Sequence, residues 1–146
     1  MVKEGTIKRF IYAQMSDHNE VVKELYLTHR KRTCWMWYTF PQIKGLGYSD
    51  IAKYYEFQCL GEVRAFVAND YLYYNIVELM EILLEIRSSD AIAIFGPIDA
   101  RKLQSSMTVL RTTPRLKGFA DAILNKYFDG EPCERTIEIL KTMEDK

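Results

Sequence analysis

Apolar side chains recur at helical spacing along most of the chain. The strongest signal runs from Leu72 to Arg87, where leucine and isoleucine return every three or four residues and only a thin polar stripe interrupts them. A helix this apolar must be nearly surrounded by other elements, so we predict that it is the central buried helix. Its expected core positions are Leu72, Ile76, Leu79, Leu83 and Ile86.

The same periodicity predicts shorter helices before and after this one. At the N-terminus we expect two helices, the second beginning at a capping box formed by Asp17 and Glu20. Ser49 is a good N-cap for another helix, and the run Ser88-Ser89-Asp90 caps a further one. The predicted ranges are 1–15, a helix from the Asp17 cap through His29, 50–57, 62–68, 91–95, 99–110, a helix around 119–128, and 136–143.

The run from Trp35 to Gln42 does not follow the helical period. Its side chains alternate and Pro41 disfavours helix in the residue before it, so we expect an extended segment or short strand followed by a glycine loop. The prediction is therefore a mainly α fold: a single helical domain over residues 1–146, with at most a small β element.

Composition narrows the classes of function. The chain has 146 residues, with 20 basic and 20 acidic side chains, so no net charge attracts it to nucleic acid or to anionic membrane. Cys34, Cys59 and Cys133 are widely spaced and odd in number, and no signal peptide is evident, so we expect free thiols in a cytoplasmic protein. No apolar run approaches the length of a membrane span.

One stretch, residues 30–49, concentrates the candidate chemistry. Three cations lead into a run of aromatic rings and then into a turn with Gly45 and Gly47 ahead of the Ser49 helix cap. Cations pair with phosphate, rings stack on a base, and backbone N–H groups near a helix N-terminus bind anions, so the stretch can hold an anionic ligand with a flat ring. The alternative is that both tryptophans anchor the core.

The sequence contains no motif for a metal site or for a catalytic nucleophile. His18 and His29 are the only histidines and lack zinc-site spacing, so neither a metal nor a cofactor is expected. Acid and base chemistry would fall to a carboxylate, Asp50, Glu56, Glu62 or Asp99, because one buried carboxylate can stabilise the oxocarbenium-like state of N-glycosidic cleavage. Asp50 and Asp99 are the catalytic candidates. The alternative is that both simply complement helix dipoles.

Long motifs give the chain a family resemblance. They are Arg9-Phe10 with Ala13-Gln14; Trp35-Met36-Trp37-x-x-Phe40-Pro41-Gln42-x-x-Gly45-Leu46-Gly47-x-Ser49-x-x-Ala52-x-x-Tyr55; and Phe95-Gly96-x-x-Asp99-x-x-Lys102-Leu103-x-Ser105-Ser106-Met107-Thr108. Over nearly its whole length the chain resembles the family called domain of unknown function 1810. That family looks related to the YbiA-like superfamily, whose NADAR branch is associated with ADP-ribose-type nucleotides and N-glycosidic cleavage.

The resemblance implies where such a site would lie. Asp50 stands where the NADAR branch keeps a functional glutamate, and Ile51 replaces its histidine. Cys34 and the pair Asn69-Asp70 stand where the chain's own family has histidine and His-Pro, so this member is expected to bind rather than cleave. The implied ligand-binding residues are Arg32, Trp35, Trp37, Phe40, Gln42, Gly45, Gly47, Ser49, Tyr55, Lys102, Ser105 and Ser106.

Three hypotheses follow. The first is a protein that captures an ADP-ribose-type or cyclic nucleotide and so sequesters an immune second messenger, in host cytoplasm if the protein is viral. The second is an N-glycosidase that hydrolyses such a nucleotide. The third is an interaction module whose aromatic run is only core. A small-molecule nucleotide is the expected partner, a homodimer is compatible with the sequence, and nucleic acid and membrane are not expected partners.

Overall fold

The computed structural model describes residues 4–143 of the chain. Within that range the fold consists of a 3-10 turn and nine α-helices, joined by short loops. The turn is Glu4–Ile7, and the helices are α1 (Lys8–Thr28), α2 (Met36–Thr39), α3 (Asp50–Tyr55), α4 (Leu60–Ala68), α5 (Asp70–Glu85), α6 (Ala91–Phe95), α7 (Pro97–Leu110), α8 (Pro114–Phe128) and α9 (Glu134–Thr142). This confirms the prediction of a mainly α fold.

Helix α5 is the central helix, as predicted. Leu72, Ile76, Leu79 and Leu83 are each at most 1% exposed, and the helix packs between α1 and α8. Asn69 caps it, because its side-chain oxygen accepts a hydrogen bond from the Leu72 N–H at 3.0 Å. The helix begins two residues earlier than the apolar pattern indicates, since this cap fixes the start at Asp70.

The prediction of two N-terminal helices divided at Asp17 is wrong. The chain forms one helix, α1, whose buried face carries Phe10, Gln14, Val21 and Leu25. Asp17 lies in its interior, where its carboxylate accepts a hydrogen bond from the Tyr38 hydroxyl instead of capping a helix. A tertiary partner thus binds one oxygen of the side chain that the sequence pattern assigned to a local cap.

The prediction of an extended segment from Trp35 to Gln42 is also wrong in its first half. Residues 36–39 form the single turn of α2, because Phe40 N–H bonds back to the Met36 carbonyl at 3.0 Å. Chain extension begins only after Pro41, where Ile43 makes one parallel bridge with Phe57. Among the described residues this bridge is the whole of the β structure.

The predicted caps at Ser49 and Asp90 are confirmed. The Ser49 hydroxyl accepts from Ala52 N–H at 3.2 Å, and the Asp90 carboxylate accepts from Ala93 N–H at 3.1 Å. The remaining helices lie within a few residues of their predicted bounds and close over one continuous apolar core. No helix in residues 4–143 is both long enough and apolar enough to cross a bilayer.

Candidate functional site

Glu24 on α1 holds the loop that carries the basic residues. Its carboxylate accepts hydrogen bonds from the Arg32 N–H at 2.7 Å, the Thr33 N–H at 3.1 Å and the Trp35 indole N–H at 3.1 Å. Burial acts to raise the pKa of Glu24, but these bonds and one from the Thr33 hydroxyl together lower it. The sequence gives no local signal for this role, because the partners lie 8 to 11 positions away.

Two of the predicted stacking rings belong to the core. Trp35 and Phe40 are each 1% exposed, and their ring centroids lie 6.3 Å apart. Phe95 at the end of α6 completes the cluster, at 6.3 Å from Trp35 and 6.5 Å from Phe40. Neither ring has a face available to a ligand, so both act by supporting the backbone that carries Trp37.

Trp37 and Lys102 are the predicted site residues that the fold brings together at the surface. The Lys102 ammonium lies 5.2 Å from the centroid of the partly exposed Trp37 ring, a cation–π distance. Asp99, one turn earlier on α7, is 3.5 Å from the Lys102 ammonium. The other carboxylate oxygen of Asp99 is 2.8 Å from the Lys31 ammonium. We call Lys31, Trp37, Asp99 and Lys102 the Trp37 cluster.

Lys31 ties this cluster to the aromatic core. Its backbone N–H donates to the Ile94 carbonyl at 2.7 Å, and its ammonium lies 5.2 Å from the Trp35 ring centroid. The Lys31 side chain is 9% exposed, so its ion pair with Asp99 is largely shielded from water. Arg32, the next residue, is exposed at the edge of the same loop. The cluster therefore combines cations, a carboxylate and an aromatic ring.

In the glycine loop, which contains Gly45 and Gly47, the backbone N–H groups bind a carboxylate of the protein itself. The N–H groups of Leu46 and Gly47 both donate to one carboxylate oxygen of Glu56, at 3.0 and 2.7 Å. Glu56 is buried, so the loop amides that the sequence assigned to a ligand anion bind an anion of the protein. Gly45 has a φ of 108°, a backbone conformation that residues other than glycine rarely adopt.

The other predicted residues take structural positions. Ser105 and Ser106 are buried on α7, where the Ser105 hydroxyl is 2.8 Å from that of Thr136 on α9. The Ser106 hydroxyl is buried and has no hydrogen-bond partner among residues 4–143. The Gln42 carbonyl accepts from Phe57 N–H at 2.8 Å, and Asp50 is exposed in the first turn of α3.

The Tyr55 ring packs against Tyr38 of α2. Its centroid is 5.3 Å from that of Tyr38, whose hydroxyl bonds Asp17. Burial raises the pKa of Tyr55 and that of Tyr38, and the hydrogen bond to Asp17 raises the pKa of Tyr38 further. Nearby, the Arg9 guanidinium binds the Glu62 carboxylate at 2.5 Å and the Glu56 carbonyl at 2.9 Å, which locks α1 to the α3–α4 loop.

Three cavities in the described part of the chain lie away from the predicted site residues. A groove of about 690 Å³ runs between α4, the α7–α8 turn and α9. A second of about 450 Å³ adjoins it, and a polar one of about 520 Å³ lies between α1 and α5. None of the three is lined by a predicted site residue. Within residues 4–143, no three acidic, histidine or cysteine side chains converge as a metal site.

The fold defines a class of small, mainly helical proteins built around one buried central helix. A family model described as "Protein of unknown function (DUF1810)" matches residues 4–140. The chain therefore belongs to the DUF1810 family, as its motifs predicted.

A solved structure agrees with this assignment. The chain is similar to the conserved hypothetical protein Rv1873 from Mycobacterium tuberculosis, with 36% identity and a TM-score of 0.89. The match covers 94% of this chain and 97% of that one. Among curated proteins no significant match is found. The relatives thus support the fold and the family, and function must be argued from the residues.

Proposed function

We propose that the protein binds an ADP-ribose-type nucleotide, derived from NAD or cyclic, at the Trp37 cluster. The observation that carries the proposal is the position of the Lys102 ammonium. It lies 5.2 Å from the Trp37 ring centroid and 3.5 Å from an Asp99 carboxylate oxygen. A nucleotide presents a flat base, ribose hydroxyls and a pyrophosphate. An aromatic ring, a carboxylate and adjacent cations are the groups that bind those three parts.

Each residue has a role in the proposal. Trp37 stacks against the base, Asp99 accepts hydrogen bonds from ribose hydroxyls, and Lys102 and the exposed Arg32 bind phosphate. Lys31 holds Asp99 at 2.8 Å and so positions it. Since Trp35 and Phe40 are buried, they support Trp37 and do not contact the ligand.

The proposed role is capture of the nucleotide without turnover. We further infer a kinship with YbiA-like proteins and their NADAR branch, which favours a nucleotide of this class. Ile51 in place of that branch's histidine favours binding over cleavage. A cytoplasmic protein of this kind would sequester a nucleotide second messenger, for example one used in immune signalling.

An N-glycosidase is the second candidate. Asp99 favours it over Asp50, because Asp99 lies in the Trp37 cluster whereas Asp50 is exposed at the start of α3. In that case the Asp99 carboxylate, which is paired with two lysines, would face the positive charge that develops on the ribose ring.

The test is a thermal-shift screen with ADP-ribose, NAD, cyclic ADP-ribose isomers and cyclic dinucleotides, each recovered from the protein and weighed by mass spectrometry. A ligand at a hundred times its Kd stabilises the fold by about 2.7 kcal/mol, which raises Tm by several degrees. The shift should be lost in Lys102→Gln and kept in Lys44→Gln, an exposed lysine outside the cluster.

The recovered ligand decides between the two candidates. Intact nucleotide supports capture. The products of N-glycosidic hydrolysis, such as nicotinamide and ADP-ribose from NAD, formed by the wild type and not by Asp99→Asn, support the glycosidase. No shift with any nucleotide, or an equal shift in Lys102→Gln, would contradict both.

A further inference from the structure

The groove between α4, the α7–α8 turn and α9 has the dimensions of a small-molecule site. Its volume of about 690 Å³ falls in the range typical of ligand pockets. Its walls are mostly apolar, and their accessible apolar residues are Leu60 and Ala68 of α4, Pro114 of α8 and Leu140 of α9. The adjoining cavity of about 450 Å³ shares Thr112 and Leu140 with it, so the two form one continuous depression.

The described charged side chains that line this depression are basic. Among residues 4–143, Arg115 lines the first cavity and Arg111, Lys117 and Lys141 line the second, and no carboxylate of that range lines either one. Asp121, outside both linings, offsets part of the second group, at 2.8 Å from Arg111 and 2.5 Å from Lys117. The whole chain is neutral, with 20 basic and 20 acidic residues, so this concentration of positive charge is local.

Arg115 is fixed in position at the mouth of the apolar groove. Its guanidinium carbon lies 3.5 Å from the Tyr73 ring centroid, and one N–H donates to the Val67 carbonyl at 3.1 Å. The nearest carboxylate, that of Asp70, is 3.6 Å away and 78% exposed, so water screens the pair. A guanidinium has five N–H donors, and this one is oriented while keeping donors for another anion.

We propose that this groove binds a single-chain anionic amphiphile of the fatty-acid class. The alkyl chain lies along Leu60, Ala68 and Leu140, and the carboxylate pairs with Arg115. Each methylene removed from water favours binding, and the surrounding cations select the sign of the headgroup. The proposal does not depend on the Trp37 cluster, which shares no residue with the groove.

The probe is dodecanoate below its micellar concentration, titrated by calorimetry against the full chain. Two matched ligands separate the contributions: dodecyltrimethylammonium has the same chain with the opposite charge, and acetate has the charge without the chain. We expect saturable binding of one dodecanoate per protein, at least about tenfold weaker binding of the cationic amphiphile, and none of acetate.

Variants then locate the site. Ala68→Trp places a large side chain over the groove from an exposed position and should abolish binding. Arg115→Gln should weaken dodecanoate about tenfold, whereas Arg115→Lys keeps the charge and should lose less. Arg101→Gln, at an exposed arginine of α7 outside both cavities, should change nothing.

Tm measured on each variant verifies that it is folded. Equal affinity for the two amphiphiles would overturn the assignment of charge selection to Arg115. Undiminished binding in folded Ala68→Trp would overturn the groove as the site.

Discussion

The Glu56 carboxylate lies 2.7 Å from the amide nitrogen of Gly47 and accepts its hydrogen bond. The same oxygen accepts a second bond from the Leu46 N–H at 3.0 Å. An internal, buried anion therefore holds the loop that precedes α3. Because the loop is closed from within, its shape does not require a ligand.

Replacing Glu56 by alanine should destabilise the fold. The change leaves two loop N–H groups without their charged acceptor, and each such bond contributes about 1.5 to 3 kcal/mol. We expect the free energy of unfolding in urea to fall by about 3 kcal/mol. Glu138→Ala, at an exposed position of α9, is the matched control and should stay near wild type. A wild-type midpoint for Glu56→Ala would contradict the role of this carboxylate.

Gly47 and Gly118 should respond oppositely to alanine. A Cβ at Gly47 would lie 2.6 Å from that of Ala52 and 3.3 Å from the Glu56 carboxylate, so Gly47→Ala should cost about 1 to 3 kcal/mol. A Cβ at Gly118, inside α8, meets nothing within 4 Å, so Gly118→Ala should stabilise by about 0.5 to 1 kcal/mol. Thermal denaturation of both variants measures this, and the same sign in both would be inconsistent with the packing.

Glu24 should make stability depend on acid pH. Its pKa is lowered in the folded state from an ordinary value of 4.5, so its contribution is complete above that pH and is lost as the pH falls through the folded pKa. Glu24→Gln should be less stable than wild type at pH 7 by about 2 kcal/mol, and the difference should shrink in acid. Glu20→Gln, at an exposed position of the same helix, should show no such convergence. A gap that stays constant with pH would refute the assignment.

Tyr127 should contribute to alkaline unfolding. Burial raises its pKa to about 12 from an ordinary 10, and its hydroxyl donates to the Leu83 carbonyl at 2.5 Å. The unfolded state loses its proton first, so this stability is present below pH 10 and is lost up to about pH 12. Tyr127→Phe should cost about 1 kcal/mol at neutral pH and reduce the alkaline fall, whereas Tyr48→Phe, which is 92% exposed, should do neither.

Local signals were reliable wherever the determining contacts are close in sequence. The apolar period of α5 and the caps at Ser49 and Asp90 depend on neighbours within one or two turns, and the structure confirms them. Asp17 reads locally as a cap, but Tyr38, 21 positions away, supplies its partner. At Asp17 the hydrogen bond from Tyr38 therefore outweighs the local preference for a helix cap.

The candidate site was harder to predict for the same reason. The run from Trp35 to Phe40 carries no sign of which rings face inward, and the burial of Trp35 is set by Glu24 and by Phe95, 60 positions later. The meeting of Lys31 with Asp99 likewise depends on how the loop after α1 packs on α7. Only the fold separates Trp37 from its buried neighbours.

The most direct test of the proposed nucleotide site is a tryptophan fluorescence titration with ADP-ribose. Trp35 and Trp37 are the only tryptophans, and Trp35 is buried, so a ligand stacking on Trp37 should quench the wild type saturably. Trp37→Leu retains Trp35 as an internal reporter of folding and should lose the quenching. Saturable quenching in the wild type alone is the predicted result; no quenching, or equal quenching in both proteins, would contradict the site.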